Sequence, residues 1–186
     1  DTTPTVVGRA TPGSIVKVYV DGKLVDSVIA DPTTGQWQYT LNPALSADGT
    51  YQITATENTG TGDSAPTPPF ELTLDTRVPT GSLDGVTDDV GLVQGDLANP
   101  DVTDDTTPTL HGTGVAGDAV FIYDGTTLID SVTVGPGGTW NYTLPPQNNG
   151  TELEMNVVFQ SPTGVRSAPG DSWKITIDTE APTASA

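Results

Sequence analysis

The chain has 186 residues, with 24 acidic against 6 basic side chains, a formal charge of -18, no cysteine and a single histidine. That length allows one or two domains with a real hydrophobic core. The charge excludes a nucleic-acid partner, since -18 repels phosphates rather than releasing their counterions. The longest apolar runs are about five residues, far short of the ~20 that span a bilayer, so no membrane insertion is expected and the opening residues do not read as a leader. Without cysteine there is neither a disulfide framework nor thiolate chemistry.

In chain order, the local signals are those of strands. Val16, Val18 and Val20 alternate with Lys17 and Tyr19, and Val120 and Ile122 alternate with Phe121 and Tyr123, a period of two that puts one side of each strand on a core. Asp21-Gly22 and Asp124-Gly125 fall between apolar runs and are expected to supply the positive φ angles of tight hairpins. Strands are predicted over 4–8, 14–20, 24–29, 36–41, 50–57 and 69–75, then over 82–86, 108–112, 118–123, 127–134, 139–144, 152–160 and 172–178. Short strands every 8–12 residues, split by Gly, Pro and Asn turns and with no helical period, predict antiparallel β-sandwiches.

The chain is also an internal repeat. Asp1-Thr-Thr-Pro-Thr-Val-Val-Gly8 returns as Asp105-Thr-Thr-Pro-Thr-Leu-His-Gly112, Trp37-Gln-Tyr-Thr-Leu41 as Trp140-Asn-Tyr-Thr-Leu144, and Leu72-Thr-Leu-Asp-Thr76 as Ile175-Thr-Ile-Asp-Thr179. Asp48-Gly-Thr50 matches Asn149-Gly-Thr151, and the offset stays between 101 and 104 residues. The expected fold class is therefore all-β: two tandem immunoglobulin-like antiparallel β-sandwiches, over residues 1–78 and 79–186. The second carries an acidic insertion at 84–105, and the first lacks a counterpart of strand 82–86. The closing Pro182-Thr-Ala-Ser-Ala186 echoes the run between the modules, as in a piece of a longer array.

The paired cores are expected around Val16, Val18, Trp37, Tyr39, Leu41 and Ile53, and around Val120, Ile122, Trp140, Tyr142, Leu144 and Met155. Phe70 and Trp173 repeat at equivalent positions and are assigned to the same cores, because duplication in both modules is what packing predicts.

Asp outnumbers Glu 19 to 5. Short carboxylates on turns suit oxygen-only coordination of a hard ion, although Asp is also simply a good turn residue. Strand order is expected to gather the acids at poles of the sandwiches: Asp1, Asp21, Asp48 and Asp75 beside the junction of the modules, and Asp88, Asp89, Asp101, Asp104 and Asp105 with Asp124 and Asp178 at the far pole of the second. These eleven are the candidate metal ligands. No EF-hand loop is present.

Asp75-Thr-x-x-Pro79, Val86-Thr-Asp-Asp-Val-Gly91, Asp105-Thr-Thr-Pro-Thr-Leu110, the Gly-x-Trp-x-Tyr-Thr run and the closing Ile-Thr-Ile-Asp-Thr-x-Ala-Pro182 resemble the bacterial Ig-like repeats of giant surface adhesins exported by type I secretion. The resemblance implies an extracellular stalk on the bacterial cell surface. Its partners would be neighbouring Ig-like modules of the same chain, with a host-cell or surface receptor engaged by another region. It further implies stiffening by calcium held on aspartates near module junctions, in the service of attachment and biofilm formation.

Two other function classes compete with the stalk. An enzyme has little to stand on: His111 is the only histidine, it aligns with Val7 on the outer side of a strand, and no nucleophile or acid is placed to complete a triad. A carbohydrate- or protein-binding sandwich would use exposed aromatics, for which Tyr19, Phe121 and Tyr123 are the candidates.

Overall fold

The computed structural model describes residues 1–181, all strands and turns, in two compact units, Asp1–Thr76 and Arg77 onward. The closing run from Pro182 lies outside the described residues.

In the first unit, β1 (Thr5–Arg9) pairs with β4 (Gln36–Thr40), and a four-stranded sheet runs in the order β3 (Lys23–Ile29), β2 (Ile15–Val20), β5 (Gly49–Asn58), β6 (Phe70–Leu74). All of these pairs are antiparallel. The two sheets enclose Val18, Leu41, Leu45, Ile53 and Leu74, with Trp37 and Tyr39 partly buried against them, and a second group of Val16, Ala30 and Ala55. The period-two reading of β2 is thus reproduced side chain by side chain: Val16 and Val18 are buried, Lys17 and Tyr19 less so.

The second unit repeats this plan and adds three strands. Its four-stranded sheet runs β13 (Thr139–Thr143), β10 (Thr109–Gly114), β7 (Gly81–Asp88), β8 (Gly95–Asp96). Its five-stranded sheet runs β12 (Thr127–Thr133), β11 (Ala119–Asp124), β14 (Glu152–Gln160), β15 (Trp173–Ile177), β9 (Asp101–Thr103). The added strands are β7, β8 and β9, and β9 joins β15 in the parallel sense. One continuous core holds Val86, Leu110, Val120, Ile122, Val134, Trp140, Leu144, Leu153, Met155, Val157, Phe159, Ile175 and Ile177.

Three local expectations need correction. The acidic stretch 84–105 is not a plain insertion, because it contains the end of β7 and all of β8 and β9. The second hairpin does not turn on Asp124-Gly125: Asp124 remains in β11 opposite Thr127, and only Gly125 takes a positive φ (55°). In the first hairpin, Asp21 (φ 50°) and Gly22 (φ 76°) both do so, as a tight turn between right-twisted strands prefers. The turns occupy the same ladder position, but Asp-Gly has slipped by one residue relative to it. Phe70, assigned to the core, is 64 % exposed, because no strand in the first unit covers the outer side of β6. Its counterpart Trp173 is partly buried against the second core and donates its indole N–H to the Ala98 carbonyl at 3.2 Å.

Candidate functional site

The sheet registers carry the candidate aspartates to the ends of strands, where each carboxylate meets the backbone of a turn. Asp1 Oδ1 accepts the Thr3 amide (2.8 Å) and hydroxyl (3.2 Å), and Asp105 Oδ1 accepts the same two groups of Thr107 (2.7 and 3.2 Å). These are Asx turns, which an aspartate forms from its own short side chain. Asp48 Oδ1 takes the Thr76 amide at 2.9 Å, and Asn149 takes the equivalent Thr179 amide at 2.8 Å. A neutral carboxamide serves there as well as a carboxylate, so this bond belongs to the turn rather than to an ion. Asp21 and Asp124 cap the amides of Gln52 (2.8 Å) and Glu154 (2.9 Å). Asp75 closes β6 one residue beyond Leu74, and Asp178 occupies the same place after β15, where its amide donates to the Thr103 carbonyl (2.8 Å) and its Oδ1 accepts from the Glu180 amide (3.0 Å).

Asp88, Asp104 and Asp105 sit differently. Asp88, the last residue of β7, is buried; its Oδ1 accepts the Val90 amide (2.9 Å) and its Oδ2 the Thr103 hydroxyl (2.6 Å). The same Thr103 oxygen accepts the Asp105 amide at 3.0 Å, so one hydroxyl links the two acids. Asp105 is 1 % exposed, and its Oδ2 is buried with no hydrogen-bond partner among the described residues. A buried carboxylate oxygen left unsatisfied is costly, which makes Asp105 the one candidate whose environment is incomplete. Asp104 lies over the loop that follows β7, so close to Gly91 (φ 70°) that a Cβ there would collide with the carboxylate. Asp89 is exposed on that loop, its carbonyl held by the Gln94 side chain at 2.9 Å. Among the described residues, no three His, Cys, Asp or Glu side chains converge as a metal-binding group.

Asp101 is fully engaged in its own turn, accepting the Ala98 amide on Oδ2 (2.8 Å) and the Val102 amide on Oδ1 (2.9 Å). The Ala98 and then the Val102 amide hold its carboxyl below the usual carboxylate range, against a smaller opposing effect of burial. Asp96 is held down in the same way by the Thr87 hydroxyl and then His111, whose Nε2 lies 3.0 Å from its Oδ1. Asp31 is lowered by the Thr34 and Thr33 amides, and Glu57 by the Thr11 amide. The sign follows from linkage: a carboxyl depressed in the folded state contributes stability that is complete above its unfolded value and lost as pH falls through the folded one. The melting temperature is therefore expected to be flat from pH 7 to 5 and to fall once pH passes below the ordinary 3.8 of aspartate. Calorimetry across pH 2–7 reads this, and Asp101→Asn should make the acid limb shallower.

Sequence reasoning missed one functional-looking pair that is structural. Asp118 is completely buried and receives both guanidinium nitrogens of Arg77, Nη1 to Oδ2 at 2.8 Å and Nη2 to Oδ1 at 2.5 Å. A signal existed: the repeat places Ser14 where Asp118 stands, so the second copy gained a charge at a buried position.

Residues 1–76, the first unit, match the family model described as bacterial Ig-like domain. Among curated proteins none matches the chain. Among solved structures, fibronectin(III)-like modules of Clostridium thermocellum CbhA superpose over 100 % of this chain and 93 % of theirs, with a TM-score of 0.57 at 16 % identity, a likeness of fold alone. Weaker likenesses are a biofilm-associated protein BSP domain (TM-score 0.36, 19 % identity, 98 % of this chain and 28 % of that one) and a Ca2+-stabilized adhesin of an Antarctic bacterium (0.41, 19 %, 95 % and 44 %). The chain thus spans less than half the length of either. His111, the single histidine, has its Nε2 3.0 Å from Asp96 Oδ1.

Proposed function

We propose that this chain is a structural repeat segment of a bacterial surface adhesin, part of an extracellular stalk stiffened by calcium that projects an adhesive region for attachment and biofilm formation. The repeat supports the stalk: each module sets turn-capping side chains at the same places, Asp1 and Asp105, Asp48 and Asn149, as a part copied for length would do. One observation carries the calcium reading, the unpartnered and buried Oδ2 of Asp105 beside Asp88. Calcium takes six to eight oxygens, and Asp88 and Asp105 would hold it, with Asp104 or Asp89 completing the set after a small movement of the loop after β7. The ion would supply charge neutralisation and cross-linking of three segments at that pole.

Because calcium would bind the folded state and not the unfolded chain, the melting temperature of the second unit should rise with calcium by mass action, about 2.7 kcal/mol of stabilisation at a hundredfold excess over Kd. Asp105→Asn distinguishes this from a solvated acidic loop. In chelator the neutral isostere should be at least as stable as the parent, since it removes an unsatisfied buried charge; in calcium it should lose the stabilisation. If parent and variant melt alike in both media, the acids are turn caps only and the stalk has no calcium clamp at this pole.

A further inference from the structure

Asn149-Gly150 is the single Asn-Gly step of the chain. Asparagine is a thermolabile side chain, most of all before glycine, where no Cβ shields the backbone nitrogen that can attack the carboxamide. The step lies in the exposed turn 148–150 between β13 and β14, with Gly150 at φ 79°. In the first unit the repeat sets Asp48-Gly49 at this place. One cap thus carries an amide in one copy and, in the other, the acid that hydrolysis of that amide yields.

Hydrogen bonds hold every reacting group of this step away from reaction. Asn149 Oδ1 accepts the Thr179 amide at 2.8 Å, Asn149 Nδ2 donates to Glu180 Oε1 at 3.1 Å, and the Gly150 N–H donates to the Ile177 carbonyl at 2.8 Å. Ring closure needs the Gly150 nitrogen to reach Asn149 Cγ and to lose its proton. The carboxamide must therefore turn out of its cap, and the Gly150 N–H must leave Ile177. All these partners lie on one segment, 177–180, at and just beyond the end of β15. The guard is thus released by one local event, the separation of that segment from the turn, and such openings at the end of an element cost less than global unfolding.

We propose that Asn149 is a deamidation site that segment 177–180 keeps closed, so that its modification records how long the end of β15 has been detached. In the open form the Gly150 nitrogen bonds to Asn149 Cγ, the Cγ–Nδ2 bond breaks, and ammonia leaves with the Gly150 proton. Water then opens the cyclic imide at one of its two carbonyls. Opening at Cγ gives aspartate, and opening at the main-chain carbon gives isoaspartate. The aspartate recreates the cap of the first unit, where Asp48 Oδ1 accepts both the amide and the hydroxyl of Thr76 at 2.9 Å, so the segment closes again. Isoaspartate routes the main chain through Cβ and Cγ and lengthens the turn by one carbon. The Gly150 N–H and the cap oxygen then no longer meet Ile177 and Thr179 together, and a long detachment becomes permanent.

The test incubates the full chain in mildly alkaline buffer and maps its peptides by mass, where deamidation adds one mass unit and isoaspartate elutes apart from aspartate. The folded parent is expected to react at Asn149 at least tenfold more slowly than the same chain in concentrated urea. Glu180→Ala, which frees Nδ2, should speed the folded reaction at least twofold, and Thr179→Pro, which removes the amide that holds Oδ1, at least fivefold. Native Trp140 and Trp173 indole signals verify that each variant is folded, and Glu180→Ala alone decides if Thr179→Pro is not. Hydrogen exchange should find the Thr179 amide still protected in Asn149→Asp and unprotected in the isolated isoaspartyl form. Equal rates in buffer and urea, no reaction at Asn149 in urea, or an unchanged rate in folded Glu180→Ala would each overturn the proposal.

Discussion

Replacing Arg77 by alanine is expected to destabilise the second unit by about 3 kcal/mol, the largest single effect of any charged residue in the chain. Asp118 has no exposure at all, so its carboxylate depends on the bidentate guanidinium for its compensation. Removing the arginine strands a buried charge, which costs more than the pair itself is worth. The figure sits at the low end of the range for buried pairs, because the Arg77 side chain is about one third exposed (34 %) and water can enter where it was. The reverse change should be milder: Asp118→Asn keeps the shape and an acceptor, and leaves Arg77 with access to solvent, for a cost of about 1 kcal/mol. Replacing both residues by apolar ones of similar volume should recover most of the loss. Urea unfolding followed at the Trp140 and Trp173 indole signals measures all three. Equal effects of Arg77→Ala and Asp118→Asn would show that the carboxylate is solvated, contrary to its burial.

What was legible in the sequence is what short-range chemistry decides. The alternation in β2 and β11, the Asp21-Gly22 turn and the paired Trp-x-Tyr-x-Leu runs all report on their own neighbours, and each lies where its pattern puts it. The capping bonds of Asp1 and Asp105 were likewise implicit in identical Asp-Thr-Thr-Pro-Thr runs. The burial of those two acids was not. Asp1 is exposed and Asp105 is sealed, and the difference comes from β7 and β9, which have no counterpart in the first unit. The same non-local cause hid β8 and β9: two or three residues rich in Gly and Asp form strands only because β7 and β15 offer open edges to pair with. The Arg77–Asp118 pair lies 41 residues apart in sequence and could be read only as an odd charge at a repeat position.

The second large effect turns on the one tryptophan pair that the repeat makes identical in sequence and the fold makes unequal. Trp140→Ala is expected to cost about 4 kcal/mol, whereas Trp37→Ala should cost about half as much. Trp140 is 4 % exposed, packs edge-on to Phe159 with ring centroids 6.5 Å apart, and donates its indole N–H toward the carbonyls of Ser82 (3.2 Å) and Thr113 (3.3 Å). Removing it opens a cavity in the centre of a continuous core and leaves those carbonyls without their donor. Trp37 is only partly buried and borders an open groove, so water already reaches one side of the ring and less transfer free energy is lost. Trp→Phe separates the two contributions. At position 140 it should still cost about 1–2 kcal/mol through the lost N–H bond, while at position 37, where no acceptor is present among the described residues, the change should be close to neutral. Urea unfolding, resolved by unit through amide signals, gives both values. If the two alanine variants lose equal stability, the uncovered side of the first unit is closed in solution, and the difference between the modules is smaller than their strand counts indicate.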